Sequence, residues 1–142
     1  MKALGLCLVL AACGDEPAKL PDAAVAADAN LSIDAAPARE IVMTLQPLQA
    51  TELVEGIMHG GPTDTALIHL EAPTSTLDWN IHGHANGGTQ TIYEELKRMT
   101  VDYVYTPSAA ADWFLLLRNG GPTNMDVKVT VRLYGDMTWR WQ

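Results

Sequence analysis

Between Met125 and Gly135 apolar and polar residues alternate without a break. Val127, Val129, Val131 and Leu133 fall on one side, and Asp126, Lys128, Thr130, Arg132 and Tyr134 on the other. A period of two belongs to extended chain, whose successive side chains leave opposite faces of a sheet. One apolar and one polar face predict a half-buried antiparallel strand with a wet side. Asp112 to Arg118 carries the continuous run Trp113-Phe114-Leu115-Leu116-Leu117, the mark of a strand with more of both faces buried. Asn119-Gly120-Gly121-Pro122-Thr123-Asn124 separates the two. These residues either tolerate positive φ or fix φ, so the segment reads as a loop.

A near copy, His59-Gly60-Gly61-Pro62-Thr63-Asp64, divides Glu52–Met58 from Thr65–Glu71. Both copies read as strand, loop, strand, with His59 in the turn. Only the loops match well, so independent use of good turn chemistry is favoured over an internal duplication. Further strands fit Ile41–Leu45, Leu77–His84, Thr89–Glu95 and Met99–Thr106, with a helical turn as the alternative over Tyr93–Arg98. Seven or eight strands between residues 40 and 142 predict an all-β domain, a small antiparallel β-sandwich of jelly-roll-like kind.

Three stretches set the order within it: Leu77-Asp78-Trp79-Asn80-Ile81-His82, Tyr103-Val104-Tyr105-Thr106-Pro107 and Trp113-Phe114-Leu115-Leu116-Leu117-Arg118-Asn119. With the terminal alternating strand they resemble small exported modules of the GOLD or bacterial pre-peptidase C-terminal type. That resemblance implies a β-sandwich and carries little about activity. The histidine-bearing strand and the ending Thr138-Trp139-Arg140-Trp141 depart from it.

The amino end has another texture. Lys2 precedes the apolar run Ala3 to Leu10, which small residues follow before a cysteine, as Leu10-Ala11-Ala12-Cys13. The run is about 10 residues, against the roughly 20 a membrane-spanning helix needs. Charge, apolar run and small residues make a signal peptide over residues 1–12. The motif resembles the lipobox of bacterial lipoproteins. That resemblance implies a diacylglyceryl thioether on Cys13, cleavage before it and N-acylation, commonly palmitate. Cys7 follows the bulky Leu6 and is read as part of the apolar run. Several acyl chains at ~0.8 kcal/mol per buried CH₂ give stable membrane anchoring. Gly14 after the cysteine, by analogy with enterobacterial sorting, points to the outer membrane. A lipid-anchored cell-envelope location is the expectation.

Residues 13–39 join that anchor to the domain. They are rich in Ala, Asp and Pro and lack aromatics, so they cannot bury enough apolar surface to offset ordering. A disordered linker is expected, and a flexible coil of about 26 residues spans roughly 28 Å. With Cys7 removed and Cys13 acylated, the exported domain would carry no thiol, and its core alone would stabilise it.

The candidate chemistry is sparse. In an extended Leu77–His84, Trp79 and Ile81 face the core while Asp78, Asn80, His82 and His84 share the other face. Two imidazoles two residues apart suit one Zn²⁺ or Cu²⁺, with Asp78 or Glu94 completing the ligand set. The same residues also suit an ordinary solvated strand face, the reading favoured here. His59 and His69 read as surface residues. Trp139 and Trp141 share a face of an extended segment, where indoles can stack on a glycan, anchor a partner or close the sandwich.

Ser75 and Ser108 sit in turn-like contexts without a nucleophile elbow, and Glu94-Glu95 diverge on a strand. The glycine pairs lack the Lys and following helix of a phosphate loop. A net charge of −8 with scattered basic residues argues against nucleic acid. The expectation is therefore a non-catalytic binding or structural module. It needs no cofactor, touches the membrane through Cys13, and has an unnamed protein or glycan partner.

Overall fold

A computed structural model describes residues 37–142 apart from Asn86; the expected signal peptide, Cys13 and most of the expected linker lie outside the described residues. Among the described residues nine strands follow in chain order: β1 Glu40–Leu48, β2 Leu53–Gly60, β3 Thr65–Glu71, β4 Leu77–Ala85, β5 Gly88–Arg98, β6 Thr100–Tyr105, β7 Ala111–Asn119, β8 Met125–Tyr134 and β9 Thr138–Trp141. They form two sheets with every neighbouring pair antiparallel. One sheet has the order β1-β8-β3-β6 and the other β5-β4-β7-β2-β9. The all-β sandwich read from the sequence is the fold observed. Among the described residues no helix is long and apolar enough to cross a membrane.

Among the described strands only β4 and β5 are joined as a hairpin. Every other connection carries the chain from one sheet to the other. Both Gly-Gly-Pro-Thr loops are such crossings, from β2 to β3 and from β7 to β8.

The core lies between the sheets. Val127, Val129, Val131 and Leu133 of β8 are buried, facing Trp79 and Ile81 of β4 and Leu115 and Leu117 of β7 across the interior. Burying side chains of this size contributes roughly 1.5–3 kcal/mol each. The alternation predicted for Met125–Gly135 is present along β8, whose buried and accessible residues alternate throughout.

Three expectations need correction. His59 belongs to β2 rather than to a turn. Tyr93–Arg98 continues β5 rather than forming a helical turn, because β4 offers it a ladder. Two irregularities in that ladder hold the extra residues, the first between Leu77 and Trp79 and the second between Ile81 and His82. Lys97 reaches φ 57° in the first, where Asp78 Oδ1 accepts its backbone N–H at 3.0 Å. Strand count is also higher, since Thr138–Trp141 pairs with β2 as a ninth strand.

Strand β1 is turned against its composition. Val42, Thr44 and Gln46 face inward and are half-buried, whereas Ile41, Met43 and Leu45 face solvent at 53%, 75% and 58% exposure. Among the described residues it pairs with β8 alone and forms one edge of its sheet.

Candidate functional site

Asp78, Asn80, His82 and His84 alternate with the buried Leu77, Trp79 and Ile81 and lie on the outer face of the five-stranded sheet. The register sets His82 beside Phe114 of β7, and Phe114 beside Ile57 of β2. Phe114 stacks on both imidazoles, with ring centroids 5.2 Å from His82 and 4.4 Å from His84 at 12° and 13°. The two histidines stack at 5.2 Å and 22°. His84 is exposed, but His82 keeps only 3% of its surface although it points outward. A solvated face therefore describes His84 and not His82: aromatic neighbours on the same face cover the inner ring.

His82 Nδ1 pairs with Asn80 Oδ1 at 2.8 Å, and Nε2 lies 3.6 Å from Glu55 Oε1. Burial pushes the His82 pKa below its ordinary value, with the Glu55 carboxylate opposing that shift and His84 adding to it. The ring is thus neutral at neutral pH, and the tautomer that suits Asn80 Oδ1 carries its proton on Nδ1.

The fold brings His82 and His84 together but leaves Asp78 apart. Asp78 is opposite Arg118, four residues along β4, and is occupied by the bulge at Lys97. Glu94 is opposite Asn80 on β5, while Glu95 faces inward beside Trp79. Among the described residues, no group of three or more His, Cys, Asp or Glu side chains is placed to hold a metal ion.

Two further histidines sit in carboxylate pairs the sequence did not single out. His59 Nδ1 lies 2.8 Å from Asp112 Oδ1, and Arg140 donates to Asp112 Oδ2 at 3.3 Å. His59 and then Arg140 hold the Asp112 carboxyl below its usual range, against desolvation. On the other sheet, His69 Nδ1 meets Asp102 Oδ1 at 2.7 Å and Nε2 meets Glu71 Oε1 at 3.1 Å. Asp102 first and Glu71 second raise the His69 pKa. Lys128 donates to the remaining Glu71 oxygen at 2.8 Å. Both ring nitrogens face carboxylate oxygens, an arrangement that favours the doubly protonated ring over the neutral one.

Trp139 and Trp141 share the inward-facing side of β9, with ring centroids 5.2 Å apart, and pack against the core half-buried. Trp139 lies over Gly56, where a Cβ would overlap its ring, and its buried indole Nε1 has no hydrogen-bond partner among the described residues.

A second aromatic group closes the opposite seam. Trp79, Tyr93 and Tyr103 meet there, the two tyrosines stacked at 4.4 Å. Glu95 accepts from Trp79 Nε1 and from Tyr93 Oη, each at 3.1 Å. Alternation along Thr89–Glu95 could have placed Glu95 inward. Its two donors lie on the same face of the sheet only through the β4–β5 pairing.

Neither a family model nor a curated protein matches this sequence. Solved structures do match in shape. The chain is similar to the Yersinia pseudotuberculosis-derived mitogen at 12% identity and a TM-score of 0.50, covering 68% of this chain and 88% of that one. It also matches PliG of Aeromonas hydrophila, a periplasmic inhibitor of g-type lysozyme. There the identity is 8% and the TM-score 0.48, covering 66% and 86% of the two chains. At such identity the first likeness shows a shared β-fold and nothing about activity.

Proposed function

We propose that this chain is a lipid-anchored lipoprotein of the cell envelope whose β-sandwich acts as a non-catalytic binding module. The observation that carries the binding role is the outward stripe Ile41, Met43 and Leu45, more than half exposed on a sheet edge that no other described strand pairs. Contiguous apolar surface of this kind marks interaction sites. The non-catalytic reading rests on how the ionisable groups are used. His59, His69 and His82 each pair with neighbouring polar side chains of the scaffold. The address rests on Leu10-Ala11-Ala12-Cys13 and on the Ala/Asp/Pro-rich residues after it, which would hold the domain off the lipid surface.

Labelling with a palmitate analogue tests the anchor. The full chain should take up label and sediment with membranes, and Cys13→Ala should lose label and become soluble. A full chain that stays unlabelled and soluble overturns the anchored reading.

A further inference from the structure

The open side of β1 has a backbone polarity that can be read residue by residue. Leu133 of β8 turns its carbonyl to β1, where the Arg39 N–H donates to it at 2.8 Å. Along an antiparallel strand the polar groups alternate sides, so Val131, Val129 and Val127 also face β1. The register matches these with Glu40, Val42, Thr44 and Gln46, which face β8 in turn. Ile41, Met43, Leu45 and Pro47 are left facing the free edge. Pro47 agrees, because a proline nitrogen is tolerated only where no ladder donor is needed. Its carbonyl is reached by Gln46 Nε2 at 3.2 Å. The residues with free backbone groups are therefore the ones whose apolar side chains face solvent.

We propose that β1 pairs antiparallel with β1 of a second copy about a twofold axis at Met43, joining two four-stranded sheets into one. This names the occupant of the apolar edge and rests on the binding-module reading for that edge alone. The register follows from self-complementarity. With Met43 opposite Met43 of the second copy, Ile41 of each copy lies opposite Leu45 of the other. All of them are edge-facing, so they exchange about six ladder hydrogen bonds. Their side chains form one apolar band on the outer face. Inside, Val42 meets Thr44, and Glu40 meets Gln46. No pair sets like charges opposite each other. Shifting the axis to Val42 or to Thr44 breaks the Ile41–Leu45 match, and the latter sets Pro47, which cannot donate, opposite Ile41.

Charge on the flanks agrees. Lys128, beside Leu45, is held by Glu71, and Arg132 lies beside Ile41. In the paired sheet these cations stand about three strand spacings apart, roughly 14 Å. The other sheet edges carry features that deter such pairing. β5 has two register irregularities, β6 is six residues long with exposed Asp102, and β9 has four residues. β1 runs nine residues in unbroken register and has only Glu40 and Pro47 near its ends.

Cysteine cross-linking of the full chain in the expressing bacterium tests this. A pair directly opposite in a hydrogen-bonded position is about 5.5 Å apart between Cα atoms, within the roughly 4.4–6.8 Å a disulfide spans. Met43→Cys should give a disulfide dimer on mild oxidation. Wild type and Thr130→Cys, on the neighbouring strand of the same face, should not exceed background. Met43→Lys should halve the mass of the purified full chain, with its far-ultraviolet β signature retained. A Met43→Cys adduct with a protein of another mass would overturn self-pairing and leave the binding module standing. Absence of any adduct above the controls would overturn both.

Discussion

His82 and His69 show how one side-chain type takes opposite electrostatic roles in a single small domain. His82 lies under Phe114 with its pKa lowered by burial, whereas His69 lies between Asp102 and Glu71 with its pKa raised by them. The signs of their linkage to folding follow. A lowered folded pKa means the unfolded chain binds more protons just below the ordinary 6.5, so the His82 contribution is present above that value and lost as pH falls beneath it. A raised folded pKa gives the reverse, and the His69 contribution is present below 6.5 and lost as pH rises through the raised value. Urea unfolding from about pH 5 to about pH 9 checks both, because a titrating pair appears as a slope in stability. His82→Gln should flatten the acidic side and His69→Gln the alkaline side. Gly56 gives a steric prediction. Since a Cβ there would overlap the Trp139 ring, Gly56→Ala should cost about 1–3 kcal/mol. Denaturation monitored by indole emission would show the loss together with a displaced Trp139.

The two Gly-Gly-Pro-Thr loops show what an element draws from its flanks. In His59–Asp64 the closing residue acts: Asp64 Oδ2 accepts from Gly61 N at 2.7 Å and Oδ1 from Asp136 N at 2.8 Å. In Asn119–Asn124 the opening residue acts instead. Asn119 Oδ1 accepts from Gly121 N at 2.9 Å, while Nδ2 donates to Thr123 O at 2.7 Å and Gln49 O at 3.0 Å. Four shared residues make both turns, and different flanking amides and carboxylates fasten them. Asn119 is fully buried, so Asn119→Ala leaves carbonyls unpaired in the interior and should cost about 1–3 kcal/mol. Thermal melting checks that value, with Asn124→Ala, which loses one exposed bond to Ala50 N, as the milder comparison. At the edges, β1 was legible as a strand from Ile41–Leu45, but its orientation was not. Its apolar residues face outward because β8 takes the inward-facing Val42, Thr44 and Gln46 as ladder partners.

For the whole molecule, connectivity dominates. With one hairpin among the described strands and their other links crossing between sheets, nearly every pairing closes a long loop before any contact rewards it. Refolding should therefore run on the millisecond-to-second scale of all-β sandwiches. Stopped-flow tryptophan fluorescence measures this, and a relaxation in microseconds would contradict it.

The sequence alone determined the extended character of this domain, because period-two alternation in segments such as Val127–Leu133 has no helical solution. It also placed the turns, since Gly-Gly-Pro-Thr lacks the donors and dihedrals to continue a strand. The faces of β4 followed from the same alternation. Which strand lies beside which was decided only by tertiary structure. Pairing is a contact between residues far apart in the chain, and alternation says which face a residue takes but not its neighbour. Hence His82 and His84 were legible as a pair, while the Phe114 stack that buries one of them was not. Asp78 shares their face, but the bulge at Lys97 claims it. The open edge at Met43 likewise exists only because, among the described residues, β1 found one partner and no second.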